Sequence, residues 1–149
     1  KIVTALERMG DQAVNFAERA ISFNQDPQLK LYIDIPRMAE IAQSMVKDVL
    51  DACVTHNSKL ARSVCERDDL VDGLNDQVVR ELLTYMMSDP KTITRAVHLM
   101  IVARCLERLA DHATNIAEDI LFWIRGLEVR HGRGRQIEAR TEGAAVTGA

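Results

Sequence analysis

Val102-Ala103-Arg104-Cys105-Leu106-Glu107-Arg108-Leu109-Ala110-Asp111-His112-Ala113-Thr114-Asn115-Ile116-Ala117-Glu118 carries two periodic rows at once. Leu99, Val102, Ala103, Leu106, Leu109, Ala110, Ala113, Ile116, Ala117 and Ile120 recur at three- and four-residue steps, the spacing of one buried helix face. Glu107, Asp111 and Glu118 fall on a second line, rotated roughly 100° from the apolar stripe at 3.6 residues per turn. Acids on the shoulder of a buried face are neither plain core nor freely solvated surface. Their position raises the question of a metal ion.

The pattern occurs twice. Leu6-Glu7-Arg8-Met9-Gly10-Asp11-Gln12-Ala13-Val14-Asn15-Phe16-Ala17-Glu18 repeats it at an offset of 100 residues, with Leu, Glu, Arg, Asp, Ala, Asn, Ala and Glu shared in register. Positions that merely need to be polar have no reason to return as Glu-x-x-x-Asp followed by Asn and Glu. The repetition indicates a duplicated helical unit.

Outward from these two stretches the chain reads as four helices. The first spans residues 1–23 and ends at Asn24-Gln25-Asp26-Pro27, where Asp26 suits an N-cap and Pro27 a first helical position. Residues 28–34 form a link or a helical turn. From about Ile35, the residues Met38, Ile41, Ala42, Met45, Val49 and Ala52 mark a second helix that ends near Thr55. His56-Asn57-Ser58 supplies turn and cap chemistry. A third helix follows, with Leu60, Val64, Val71, Leu74, Val78 and Leu82 on its inner face, and Ser88-Asp89-Pro90 separates it from a fourth that reaches Arg125. Gly126 stands where a helix C′ residue belongs. Beyond it, Arg130, His131, Arg133 and Arg135 lie among glycines in a tail whose composition predicts disorder.

The short turn at 89–90 makes the third and fourth helices antiparallel neighbours. It places Asp72 level with Glu107 and Asp68 level with Asp111, because both pairs are symmetric about the same midpoint. Asp68 and Asp72 sit roughly 60–100° from their own apolar stripe, on the same rotational side as Glu107 and Asp111. Such shoulders either face one shared groove or both turn away from it; the coincidence of level favours convergence. Clustered anions repel, and a compensating cation relieves them. Hard oxygen ligands suit Mg²⁺, Ca²⁺, Mn²⁺ and oxidised iron. The alternative is that these acids are solvated or paired with Arg104, Arg108 or Arg67. Glu18 and Glu118 are further candidates of lower rank, Asn15 and Asn115 read as helix–helix hydrogen-bonding residues, and His112 lies off the acidic row.

Composition sets outer bounds. A hydrophobic fraction of 47% with only 4% aromatic residues suits helices packed through small and aliphatic side chains, and seven Gly and three Pro leave little material for a turn-rich β fold. A net charge of −3 without a basic, aromatic stripe gives no reason to expect nucleic acid. No apolar run reaches membrane-spanning length, and the start lacks a signal peptide. The three cysteines, Cys53, Cys65 and Cys105, form no C-x-x-C pair and read as small buried hydrophobes in a reducing cytosol. There is no Gly-rich phosphate loop and no defensible nucleophilic triad.

Glu-Arg-Leu-Ala-Asp-His-Ala-Thr-Asn-Ile-Ala-Glu-Asp at 107–119 resembles the signature of the PhoU family of phosphate-transport regulators, as do Asp68-Asp69-Leu70-Val71-Asp72 and Asp89-Pro90. The resemblance covers about residues 1–131. It implies an all-α fold: an antiparallel, PhoU-like and spectrin-repeat-like three-helix bundle over 35–128, preceded by the last helix (1–23) of a truncated first bundle and a linker (24–34), with a disordered tail over 129–149. It also implies divalent or trivalent metal ions, with Fe, Zn, Mg and Mn the candidates, on Asp68, Asp72, Glu107 and Asp111. Glu7 and Asp11 match the motif of the first bundle, whose partner helix is expected to be missing. Ala110 replaces a glycine usual in the family, whereas Gly10 keeps it.

The function implied is a non-enzymatic, cytoplasmic adaptor between the ATPase of a phosphate ABC transporter and a sensor histidine kinase, repressing uptake and the starvation response. The apolar edge of the first helix (Leu6, Ala13, Phe16, Ala17) predicts cover by another chain, as in a homodimer. The basic start of the tail is ordinarily solvated; peripheral contact with the inner membrane or an acidic partner is the alternative. Two other functions compete. A carboxylate-bridged di-iron enzyme needs Glu-x-x-His pairs, and neither Glu107 nor Glu118 has a His three residues on. A purely structural, dimerising helical module is the other.

Overall fold

The structure, a computed structural model, describes residues 2–23 and 34–125. Four helices run in chain order: α1 (Ile2–Phe23), α2 (Asp34–Thr55), α3 (Ser58–Ser88) and α4 (Ile93–Arg125), with a 3-10 turn at Pro90–Thr92. The described chain is all-α. The expected link around Asp26 and Pro27, the Gly126 cap and the tail lie outside the described residues.

The two tight connections set the topology. At the end of α2, His56 adopts φ 55°, the left-handed conformation usually reserved for glycine at a helix C′ position. The Asn57 N–H then reaches back to the Ala52 carbonyl at 3.1 Å, closing a Schellman turn. The Asn57 side chain immediately caps α3 by accepting from the N–H groups of Lys59 and Leu60, both at 3.1 Å. At the second connection the fourth helix does not begin directly at Pro90. Asp89 accepts from the Lys91 N–H at 3.0 Å and winds one 3-10 turn, so α4 starts at Ile93.

α2, α3 and α4 pack mutually into a bundle. Met38, Met45 and Val49 from α2, Val64 and Val71 from α3, and Ile116, Ile120 and Leu121 from α4 are fully buried at its centre. Each such side chain contributes roughly 1.5–3 kcal/mol relative to exposure. Of the ten apolar α4 positions predicted to be internal, all but the half-buried Leu109 lie in the core. Arg67 ties α2 to α3 from the edge: its guanidinium donates to Asp48 Oδ2 at 2.5 Å, to Ser44 Oγ at 2.8 Å and to the Ser63 carbonyl at 3.0 Å.

α1 lies outside this bundle and packs on α4. Met9 is buried there, with Ala5 and Phe16 against the same cluster. Val3, Leu6 and Val14 remain exposed, as do Ala13 and Ala17. A Cβ added at Gly10 would meet nothing within 4 Å, so no close helix approach requires glycine at that position.

Candidate functional site

The antiparallel α3 and α4 share a seam on which the acids are arranged in rungs. Thr114 of α4 donates to Asp68 Oδ1 of α3 at 3.1 Å, fixing the register between the helices. Asp68 is half-buried, as are Glu107 and Asp111; Asp72 is exposed. Burial raises the Asp68 carboxyl above the usual range, the Thr114 hydrogen bond opposes this, and the charges of Asp72, Asp111 and Asp69 add to it. Partial burial likewise raises Asp72, helped by Asp111, Asp69 and Asp76 and opposed by Arg104. Glu107 is raised by burial against Arg104, with Asp111 and Asp72 adding.

Glu107 is closely confined. Its side chain is only 12% exposed, and Arg104 Nη1 approaches at 2.5 Å from a guanidinium that is itself 59% exposed. That nitrogen sits 2.5 Å from both carboxylate oxygens: it donates to Oε1 and lies in ion-pair contact with Oε2, a buried atom that makes no hydrogen bond of its own. A buried carboxylate oxygen met by one half-exposed guanidinium, beside two further acids, is a donor set suited to a hard cation. The acids form a row rather than a cage: among the described residues no three His, Cys, Asp or Glu side chains gather closely enough to hold one ion. Carboxyl groups spaced along two helices in this way suit bridging between ions or ligation after rotamer adjustment.

The other sequence candidates fall elsewhere. Glu7, Asp11 and Glu18 are exposed on α1. Arg67 turns to Asp48 rather than to the acids of the seam. Asn115 donates to the Asp111 carbonyl of its own helix at 2.8 Å, so it is not the cross-helix residue expected. Burial lowers the His112 imidazole below its usual value, Asp111 opposes this, and Arg8 and Arg108 reinforce it. The thiols of Cys53, Cys65 and Cys105 are free and half-buried; burial pushes Cys65 up to about 11, with Glu118 and Asp68 adding to the effect. The hydrogen bond from Thr114 to Asp68 has no sequence signal beyond its place one turn past Asp111.

A bundle of long antiparallel helices with a partly desolvated acidic row on its α3–α4 seam defines an all-α helical scaffold protein. A family profile described as the PhoU domain matches residues 35–120, spanning α2, α3 and the seam. The chain belongs to the PhoU family. It is 47% identical over 134 residues to the phosphate-specific transport system accessory protein PhoU homolog of Caulobacter vibrioides, covering 89% of this chain and 58% of the relative. It is 49% identical over 131 residues to the protein of the same description from Aquifex aeolicus, covering 88% of this chain and 59% of the relative. The crystal structure of PhoU from Pseudomonas aeruginosa superposes with a TM-score of 0.82 at 39% identity, covering 85% of this chain and 61% of that one. The chain thus spans about three-fifths of the length of these relatives.

Proposed function

We propose that this chain acts as an accessory regulator of a phosphate-specific ABC transporter, linking the transporter ATPase to a sensor histidine kinase and holding down uptake and the starvation response when phosphate is plentiful. The acidic seam works as the metal site of that regulator. Asp68, Asp72, Glu107 and Asp111 ligate hard divalent or trivalent ions, drawn from Fe, Zn, Mg and Mn. Glu7 and Asp11 contribute a second, incomplete motif on α1. A bound cation supplies the charge that Arg104 alone does not, and pins α3 to α4 so that their outer faces present a fixed surface to partners.

The observation that carries this reading is the buried Glu107 Oε2, which makes no hydrogen bond and is met by a half-exposed Arg104, in a row where burial and neighbouring acids raise Asp68, Asp72 and Glu107, in a chain of this family. No described helix is long and apolar enough to cross a membrane, and we assign the regulator to the cytoplasmic face of the transporter. The exposed outer face of α1, with Val3 and Val14 at 77% and 58% exposure, is the surface we assign to a second copy of the chain.

The test is co-purification with the transporter ATPase and with the sensor kinase, using the wild-type chain and a Glu107→Ala/Asp111→Ala variant, each with and without chelator. Capture of both partners by the wild type, weakened by the variant and by chelation alike, is the expected result. Failure to capture either partner would remove the adaptor role, and capture insensitive to chelator would separate it from the metal.

A further inference from the structure

The α3–α4 seam does not end at its acids. Asn75 lies three residues beyond Asp72 and Arg104 three before Glu107, so the two form the next rung towards the 89–90 turn. There the seam opens into a groove of ≈ 610 Å³ between α1, α3 and α4, within the size range of small-molecule sites. Its lining is divided. Arg104 and Arg108 stand on the α4 side, and the amides of Asn75, Gln12 and Asn15 come from α3 and α1. Val97, Met100 and Ile101 form an apolar wall towards the turn.

Asn75 is the informative residue. It is 8% exposed, the one polar side chain among the buried residues described, and its Oδ1 is buried without a hydrogen-bond partner. An unpaired buried amide oxygen carries a desolvation cost that a leucine there would avoid. Rotation about the soft terminal torsion exchanges Oδ1 and Nδ2, so the amide can present either an acceptor or a donor to the groove. Arg104 is held on one edge by Glu107, which orients its remaining donors, and a guanidinium fork matches phosphoryl oxygens two at a time. Arg108 makes no side-chain hydrogen bond or ion pair among the described residues.

We propose that this groove binds a phosphoryl group, with Arg104 and Arg108 clasping the oxyanion and the Asn75 amide accepting from its hydroxyl. Inorganic phosphate carries such a hydroxyl near neutral pH, a phosphate monoester carries it below its second pKa of about 6, and sulfate carries none, so below about pH 6 the amide acceptor discriminates both phosphoryl ligands from sulfate. The apolar wall accommodates the organic body of a phosphate monoester, while the free ion would occupy the polar end alone. The acids one rung away oppose an anion, so binding is measured in chelator, where it stands independently of any metal on the seam.

The experiment is calorimetric titration of the whole chain at about pH 5.5, where a monoester keeps most of its hydroxyl, with phenyl phosphate, inorganic phosphate, sulfate and phenol. Saturable binding of a phosphoryl ligand, at least about tenfold tighter than sulfate and absent for phenol, is expected. Tighter binding of phenyl phosphate identifies an ester as the source of the group, and equal affinity identifies the free ion. Arg108→Gln should weaken binding about tenfold at unchanged thermal stability. Asn75→Leu should abolish the preference over sulfate while holding or raising the melting temperature, which a merely structural asparagine would not do. Absence of saturable phosphoryl binding, sulfate binding as tight as phosphate, or Arg108→Gln and Asn75→Leu proteins that bind like wild type would each overturn the proposal.

Discussion

Replacing Glu107 by Gln removes a confined charge from the seam with almost no change of shape. In the metal-free protein a buried carboxylate oxygen that makes no hydrogen bond costs about 1–3 kcal/mol. The ion pair with Arg104 disappears along with the charge, but it involves an arginine 59% exposed and is worth about 0–1 kcal/mol. The amide leaves an unsatisfied N–H in its place, so the low end of the range applies. Glu107→Gln should therefore stabilise the metal-free chain by about 0–1 kcal/mol, or up to about 3 °C in melting temperature for a chain of this size. The pH dependence follows from the same groups. Asp68, Asp72 and Glu107 are raised in the folded state, so the folded chain holds protons that the unfolded chain has released. Their contribution is fully present below the unfolded carboxylate range and is lost as pH rises through the raised values. The gain from Glu107→Gln should accordingly shrink from pH 7 towards pH 4. Thermal unfolding in chelator, followed by far-ultraviolet circular dichroism at both pH values, measures it. A variant less stable than wild type by about 1 kcal/mol or more at pH 7 would refute the picture of a seam strained by its own charge.

Other consequences follow from single residues. Asn57→Ala removes both cap bonds at the start of α3 and should cost about 1 kcal/mol in urea unfolding, against only a few tenths for Asn57→Gly. Met45→Ala, at a fully buried position of α2, should cost about 2–5 kcal/mol by the same measurement with an unchanged m-value. With its thiol pushed up to about 11, Cys65 should be alkylated by iodoacetamide at pH 8 much more slowly than a model thiol, as peptide mapping by mass spectrometry would read.

The helices are legible in the sequence because their apolar residues keep a helical period and because Asn57, Asp89 and Pro90 punctuate it. Even the level of Asp68 with Asp111 can be read, since a short turn leaves two antiparallel helices little choice of register. What escapes depends on the third dimension. Asn75 escapes because a polar residue on an apolar face looks like an interruption until the groove beside it is visible. Arg67 reads as a partner for the acids, but α2 lies close enough to offer Asp48 and Ser44 instead, and nothing in the spacing of α3 reveals where α2 will sit. Asn115 chooses the carbonyl one turn behind it, a bond that any exposed helical asparagine can make. The burial of Glu107 Oε2 arises from the packing of two helices, while the sequence alone shows only an acid on a shoulder.

Metal content addresses the acidic seam most directly. Elemental analysis of the purified chain beside the Glu107→Ala/Asp111→Ala variant, both loaded with iron, zinc or manganese and then desalted, should find retained metal in the wild type and a large loss in the variant. Equal metal in the two proteins, or none in either, would contradict the assignment.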